Sequence, residues 1–266
     1  MTSVGIATGA GRGMGFACAR RMTTMVDTLL LVDRDEETVT AAARELGGEP
    51  FVLDVTDRDG VGRLAAAVSA RGTLRAVAHA AGISPTMADW RRILNVDLVG
   101  TALLVEALRP LATTGTAMVC FASMAPLLAG VRAEPDVAAI LDDPLDPGFP
   151  DRLRDALGPA LENSGAAYGW AKYGVQRFVR REAVRLGAVG ARICSVSPGI
   201  IDTPQGQQEA ASHESMARFV RQTPLGRTGQ PDEVAAAVAF ALSAEASFLS
   251  GVDLLIDGGL CAAVSP

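Results

Sequence analysis

The sequence predicts a doubly wound α/β fold, a mostly parallel sheet with helices on both faces, in a single domain over residues 1–266. Three observations predict it. Strand-length apolar runs alternate with helix-length segments along nearly the whole chain, which is the pattern of βαβ units. The first apolar run is followed by a glycine-rich turn and then a helix. Finally, 49% hydrophobic residues and 28 glycines in 266 suit a compact α/β protein with many tight turns, and no internal repeat or interdomain linker is visible.

Val4-Gly5-Ile6-Ala7 reads as a short buried strand and Phe16 to Met22 as the helix after it. Between them lies Thr8-Gly9-Ala10-Gly11-Arg12-Gly13-Met14-Gly15. A turn of this kind lets backbone amides approach a pyrophosphate at the positive end of the helix, which makes Gly9, Arg12, Gly13, Met14 and Gly15 candidate cofactor contacts. The second run, Thr28 to Val32, ends at Asp33. An acid there can accept hydrogen bonds from ribose hydroxyls and would repel a 2′-phosphate, whereas Arg12 and Arg34 would attract one. Asp33 ranks NAD above NADP.

A helix to about Leu46 leads to the strand Pro50–Leu53 and to Asp54-Val55. Asp54 is placed to hydrogen-bond an adenine amino group, to cap the helix that follows, or both. The strand Ala76–Ala78 ends in His79-Ala80-Ala81-Gly82, whose small residues would let a cofactor lie across the strand ends. His79 has no Cys, Asp or His partners at ligand spacing, so no metal is expected. A helical stretch from about Met87 to Leu108 holds Asn95 and Asp97, and the strand Thr116–Phe121 leads to Ser123. Residues at strand C-termini lie on the edge where open α/β sheets bind ligands.

Residues 127–163 break this rhythm with seven aspartates and glutamates among five prolines from Glu134 to Pro159. They read equally as a solvated acidic excursion and as a wall or lid over the site. Two short helices with apolar faces are expected there, at Ala138–Leu141 and Arg152–Leu157. Next, Tyr168 and Lys172 stand four residues apart, which on a helix puts both on one face. A phenol titrates near ~10, and a fixed ammonium nearby favours the phenolate, so the pair can move protons. On spacing alone, a half-buried tyrosine and a solvated lysine are the commoner reading. The strand Ala191–Val196 then reaches Pro198-Gly199-Ile200-Ile201-Asp202-Thr203. Gln205 to Thr223 reads as a mobile flap, an alanine-rich helix runs from Pro231 to about Ser243, and a last strand, Leu254–Ile256, closes on Asp257-Gly258-Gly259.

The net charge of −6 argues against a nucleic-acid or anionic-membrane partner. Cys18, Cys120, Cys194 and Cys261 are widely spaced and read as reduced thiols of a cytoplasmic protein. No signal peptide or membrane-spanning run is evident.

Taken in order, these motifs resemble the short-chain dehydrogenase/reductase family in its single-domain, Rossmann-like branch. The resemblance rests on T-G-x-x-x-G-x-G at Thr8 to Gly15, Asp33, Asp54-Val55, Ala81-Gly82, Ser123, Tyr168-x-x-x-Lys172, Pro198-Gly199 with Thr203, and Asp257-Gly258-Gly259. It implies Tyr168 as general acid/base, Lys172 as the group that lowers its pKa and binds the nicotinamide ribose, and Ser123 as the group that holds the substrate oxygen. It also implies nicotinamide contacts from Ile201 and Thr203, and a homotetramer. Three features depart from the family pattern. His79-Ala80-Ala81-Gly82 stands where N-N-A-G is usual. Asp97 aligns with the family's catalytic asparagine, where it could accept the same hydrogen bonds but would add a charge near Lys172. Ser123 and Tyr168 are 45 positions apart, far more than usual. An insertion at this place is similar to that of 3α-hydroxysteroid dehydrogenase/carbonyl reductase-like members. The implied activity is NAD-dependent interconversion of a hydrophobic secondary alcohol and its ketone, for which the analogy suggests a steroid or terpenoid. The alternatives are an NADPH-dependent 3-oxoacyl thioester reductase and a cofactor-binding protein without turnover.

Overall fold

The computed structural model describes residues 2–212 and 214–264. Among these residues seven strands form one sheet: β1 (Ser3–Thr8), β2 (Thr28–Asp33), β3 (Glu49–Val52), β4 (Thr73–His79), β5 (Ala117–Phe121), β6 (Arg192–Pro198) and β7 (Asp253–Ile256). Their order is β3-β2-β1-β4-β5-β6-β7, and every neighbouring pair is parallel.

The strand alternation explains the two-sided core. Leu30 and Val32 of β2 and Met118 and Cys120 of β5 point into one apolar cluster. Leu29 and Leu31, and Val119 and Phe121, point into another on the opposite face. The first cluster is covered by the helices Arg58–Arg71, Gly100–Leu108 and Ser164–Gly187 through residues such as Leu64, Leu104 and Val175. The second is covered by Gly13–Met22, Glu36–Leu46 and Pro231–Leu242 through Ala17, Val39 and Val238. A sheet buried on both faces needs near-continuous apolar strands, which is what this chain supplies.

Local chemistry starts the helices where the caps sit. Asp35, Asp57, Asp89 and Asn163 each accept a backbone N–H in the first turn of the helix that follows. Asp57, not Asp54, therefore caps the helix after β3. The helical stretch expected from Met87 begins at Trp90, because Asp89 caps it. The expected flap after Gln205 is helical over Pro204–Ser212 and Glu214–Gln222.

The insertion corrects the picture of a solvated excursion. Its helices Pro135–Leu141 and Phe149–Leu157 bury Val137, Leu141, Phe149 and Leu153 in the first apolar cluster. Asp142 accepts two bonds from Arg177 at 3.0 and 2.9 Å, tying the insertion to the long helix, and Asp151 pairs with Arg91. The acids cover the outside of a packed element. No residue of 129–163 lines the cleft at the glycine turn.

Candidate active site

The order of the strands reverses between β1 and β4, and the loops leaving their C-terminal ends diverge to form a crevice. The glycine turn forms its floor. A Cβ on Gly15 would sit 2.1 Å from the Gly9 carbonyl oxygen, so only glycine lets the helix start this close to the strand end. Asp33 ties the turn down by accepting the Gly11 amide at 3.0 Å on Oδ2 and the Asp35 amide at 3.2 Å on Oδ1. Gly9, Arg12, Gly13, Met14 and Gly15 line the cleft, as do Asp33, Arg34, Asp54, Val55, Ala81, Gly82 and Thr203. A floor without side chains at a helix N-terminus, with an acid and two guanidiniums at the strand end, fits a dinucleotide.

Sequence reasoning missed Arg92, which also lines this cleft. It donates to Asp54 Oδ2 at 2.6 Å and to Thr56 Oγ1 at 3.3 Å, while Asp54 Oδ1 accepts the Thr56 amide and hydroxyl. Burial works to raise the Asp54 pKa, but the Thr56 bonds and Arg92 overcome it and hold the carboxyl below its ordinary range. Asp54 is thus braced on both oxygens, and Arg92 is a third cation facing the cleft. Nothing in the sequence links two residues 38 positions apart.

The proton-transfer cluster lies behind Gly82. Asn163 caps the helix Ser164–Gly187 through the Ala166 amide at 3.1 Å, which starts the helix just before Tyr168. Lys172, one turn on, is buried, and its Nζ donates to the Phe121 carbonyl at the end of β5 at 3.1 Å. That ammonium lies 5.6 Å from the centroid of the half-buried Tyr168 ring. The solvated-lysine reading is therefore excluded. Ser123, two residues past Phe121, is buried, and its Oγ accepts the Ala125 amide at 3.1 Å, leaving its proton free to donate.

Asp97 joins this cluster from the central helix. The helix changes pitch there: Asn95–Val99 is a π turn, in which the Gly100 amide bonds the Asn95 carbonyl. Such bulges often sit at functional sites, and no sequence pattern announces them. Asp97 is fully buried. Its Oδ1 accepts the Ile83 amide at 2.9 Å and lies 3.5 Å from Lys172 Nζ. Desolvation raises its pKa, against the pull of Lys172 and the Ile83 amide.

His79 is structural. Nδ1 meets Thr8 Oγ1 at 2.8 Å and Nε2 meets Thr101 Oγ1 at 2.9 Å, so both ring nitrogens are engaged within the protein. Burial, helped by Lys172, pushes its pKa down to about 3. The turn after β6 is only partly gathered in. Thr203 lines the cleft, whereas Ile201 faces a separate small pocket beside Gly229 and Glu233. Pro198 and Gly199 line neither. Gly199 packs instead against the last turn, where a Cβ would fall 2.6 Å from Asp257 Cα. An apolar cluster lies beyond Ser123: Met124, Leu260 and Cys261 are buried together, with Leu128, Ile200, Phe219 and Val264 packed around them.

Comparison with known proteins agrees with this geometry. A family model described as enoyl-(acyl carrier protein) reductase matches residues 9–138 and 158–261, so the unmatched internal stretch falls inside the insertion. The chain is 32% identical to cis-4-hydroxycyclohexanecarboxylate dehydrogenase of Sinomonas cyclohexanicum, over 97% of this chain and 96% of that one. It is 27% identical to 3-alpha-hydroxysteroid dehydrogenase/carbonyl reductase of Comamonas testosteroni, over 99% and 98%. A solved short-chain type dehydrogenase/reductase from Mycobacterium ulcerans superposes with a TM-score of 0.78 at 25% identity, over 98% of this chain and 90% of that one. With the glycine cleft, the tyrosine–lysine turn and matches over nearly its full length, this chain belongs to the short-chain dehydrogenase/reductase family, as an oxidoreductase acting on CH–OH groups.

Proposed function

We propose that the protein interconverts a hydrophobic secondary alcohol and its ketone, using NAD, within one catalytic domain. The observation that carries this reading is the buried Lys172 ammonium held between the Phe121 carbonyl and the Tyr168 ring, two residues from Ser123 and directly behind the cleft wall at Gly82. When bound, the nicotinamide accepts or supplies the hydride. The rest falls to the chain. Glycines 9, 13 and 15 and the N-terminus of the first helix seat the diphosphate, and Asp33 selects the ribose. Ser123 donates its hydroxyl proton to the substrate oxygen, so that the oxygen's developing charge is held where it forms. Tyr168 exchanges a proton with the same oxygen, and Lys172 favours its phenolate.

The apolar cluster around Met124, Leu260 and Phe219 supports a hydrophobic substrate, since it follows directly on Ser123 and on the turn after β6. The similarity to a hydroxycyclohexanecarboxylate dehydrogenase supports a ring-bearing secondary alcohol as the first class to try. Four free, buried cysteines support residence in a reducing compartment such as the cytoplasm. The family resemblance supports a homotetramer.

The test is a spectrophotometric screen of alicyclic secondary alcohols with NAD⁺ and NADP⁺, run beside Tyr168→Phe. The expected result is NAD⁺ reduction by a subset of alcohols and a loss of kcat of at least ~10³-fold in the variant, with cofactor affinity little changed. Near-parental turnover by Tyr168→Phe would overturn the mechanism.

A further inference from the structure

Asp97 presents a charge problem that its surroundings resolve. Its two oxygens are treated unequally. Oδ1 takes the Ile83 amide at 2.9 Å and faces Lys172 Nζ at 3.5 Å. Oδ2 is buried, and among the described residues no group donates to it or accepts from it. An ionised carboxylate with one bare, desolvated oxygen carries the full desolvation penalty of that charged atom without a hydrogen bond to offset it. A carboxylic acid in the same place keeps Oδ1 as the carbonyl facing both donors and carries its proton on Oδ2, where an unpaired neutral hydroxyl costs less to bury than an unpaired charged oxygen. In that form it matches a side-chain amide in shape and charge.

We propose that Asp97 works as a neutral carboxylic acid, protonated on Oδ2, and positions Lys172 without cancelling its charge. The proposal rests on the reading of Tyr168 and Lys172 above. Its consequence is electrostatic. An ionised Asp97 would pair with the ammonium and blunt its pull on the Tyr168 phenol. The acid form orients Lys172 through Oδ1 and leaves the full positive charge for Tyr168. The groups around it are consistent with this arrangement. Lys172 faces it from the long helix. The Ile83 amide and the bare Gly82 Cα face it from the loop after β4, where a Cβ would fall 2.8 Å from Oδ1. From β4, His79 reaches Thr101, whose hydroxyl donates to the Asp97 carbonyl at 2.7 Å; this histidine is neutral, so it adds no charge. The site therefore departs from an amide-based arrangement in its chemical element and not in its charge.

Two readouts test this in the NAD-bound enzyme. The first is infrared difference spectroscopy of the parent against Asp97→Asn at neutral pH. A protonated-carboxyl C=O band should be present in the parent and absent from the variant. Asp97 is the one fully buried aspartate among the described residues, so aspartate carrying carbon-13 at the side-chain carboxyl moves the same band in the parent alone. That version serves if the variant does not fold, and it needs no substrate. The second is the pH profile of kcat/KM. Asp97→Asn should leave the tyrosine limb at the pH it has in the parent, whatever the height of the profile. A missing band would overturn the proposal. So would a tyrosine limb that moves to lower pH in the variant, because removing a negative charge lowers a neighbouring phenol's pKa. Absence of turnover with a clear band would sink the alcohol-dehydrogenase reading and leave the protonation state standing.

Discussion

Asp33 does two jobs with one carboxylate. It braces the glycine turn through the Gly11 amide, and it places a negative charge in a cleft that also holds Arg12, Arg34 and Arg92. The two jobs separate in Asp33→Asn, which keeps an acceptor for Gly11 and loses the charge. The NAD⁺-to-NADP⁺ ratio of kcat/KM should then fall by at least about tenfold, the equivalent of ~1.4 kcal/mol. Steady-state kinetics with the two cofactors measures it, and an unmoved ratio would assign selection to the arginines. At this scale much of the site was legible. Gly15, Asp33, Ser123, Tyr168 and Lys172 sit at spacings or strand ends that carry their chemistry in one dimension. Arg92 with Asp54, and Asp97 with Ile83, were not legible as pairs, because their partners come from distant segments. Ile201, Pro198 and Gly199 do not line the cleft at the glycine turn: Ile201 lines a separate pocket and Gly199 packs against the last turn.

The insertion shows what composition hides about an element. Prolines and acids set residues 127–163 apart from the rest of the chain, but five apolar side chains decide where the segment goes. Val137, Leu141, Phe149, Leu153 and Leu161 enter the same cluster as the long helix. Phe149 is fully buried. Phe149→Ala should cost about 3–5 kcal/mol of unfolding free energy, the range for a large aromatic removed from a packed core. Asp151→Asn, which breaks an exposed pair with Arg91, should leave stability almost unchanged, because solvent screens the pair. Denaturant titration of both variants distinguishes a packed insertion from a loose lid, for which the two costs would be similarly small. The strands were readable because a two-sided sheet imposes apolar runs. The π turn at Asn95–Val99 was not, because it differs from an α-helix only in which carbonyl each amide selects.

For the whole molecule, two buried groups of opposite sign set the dependence of stability on pH. His79 has its pKa pushed down to about 3 in the folded chain, against an ordinary value of 6.5. Its stabilising contribution is therefore complete above 6.5 and is lost as pH falls towards 3, because the unfolded chain takes up a proton that the folded chain refuses. One proton is worth about 1.4 kcal/mol per pH unit. Asp97 has its pKa raised above 3.8, so it acts the other way. If it is protonated at neutral pH, the folded chain holds a proton that the unfolded chain releases, and stability rises by the same ~1.4 kcal/mol per unit as pH falls towards 4. Asp27, Asp35, Asp54, Asp57 and Asp151 have lowered pKa values, so their contributions are lost mainly below about pH 4. Between pH 6.5 and about 4.5 the two buried groups should thus offset each other, and urea unfolding of the parent should give a nearly level free energy. His79→Gln removes one slope, so its stability should rise on acidification by about 2 kcal/mol from pH 6.5 to 5, and Asp97→Asn should fall by about as much. A parent that loses stability steadily across this window, with His79→Gln level, would mean that Asp97 is ionised at neutral pH and remains so in the folded chain as the pH falls.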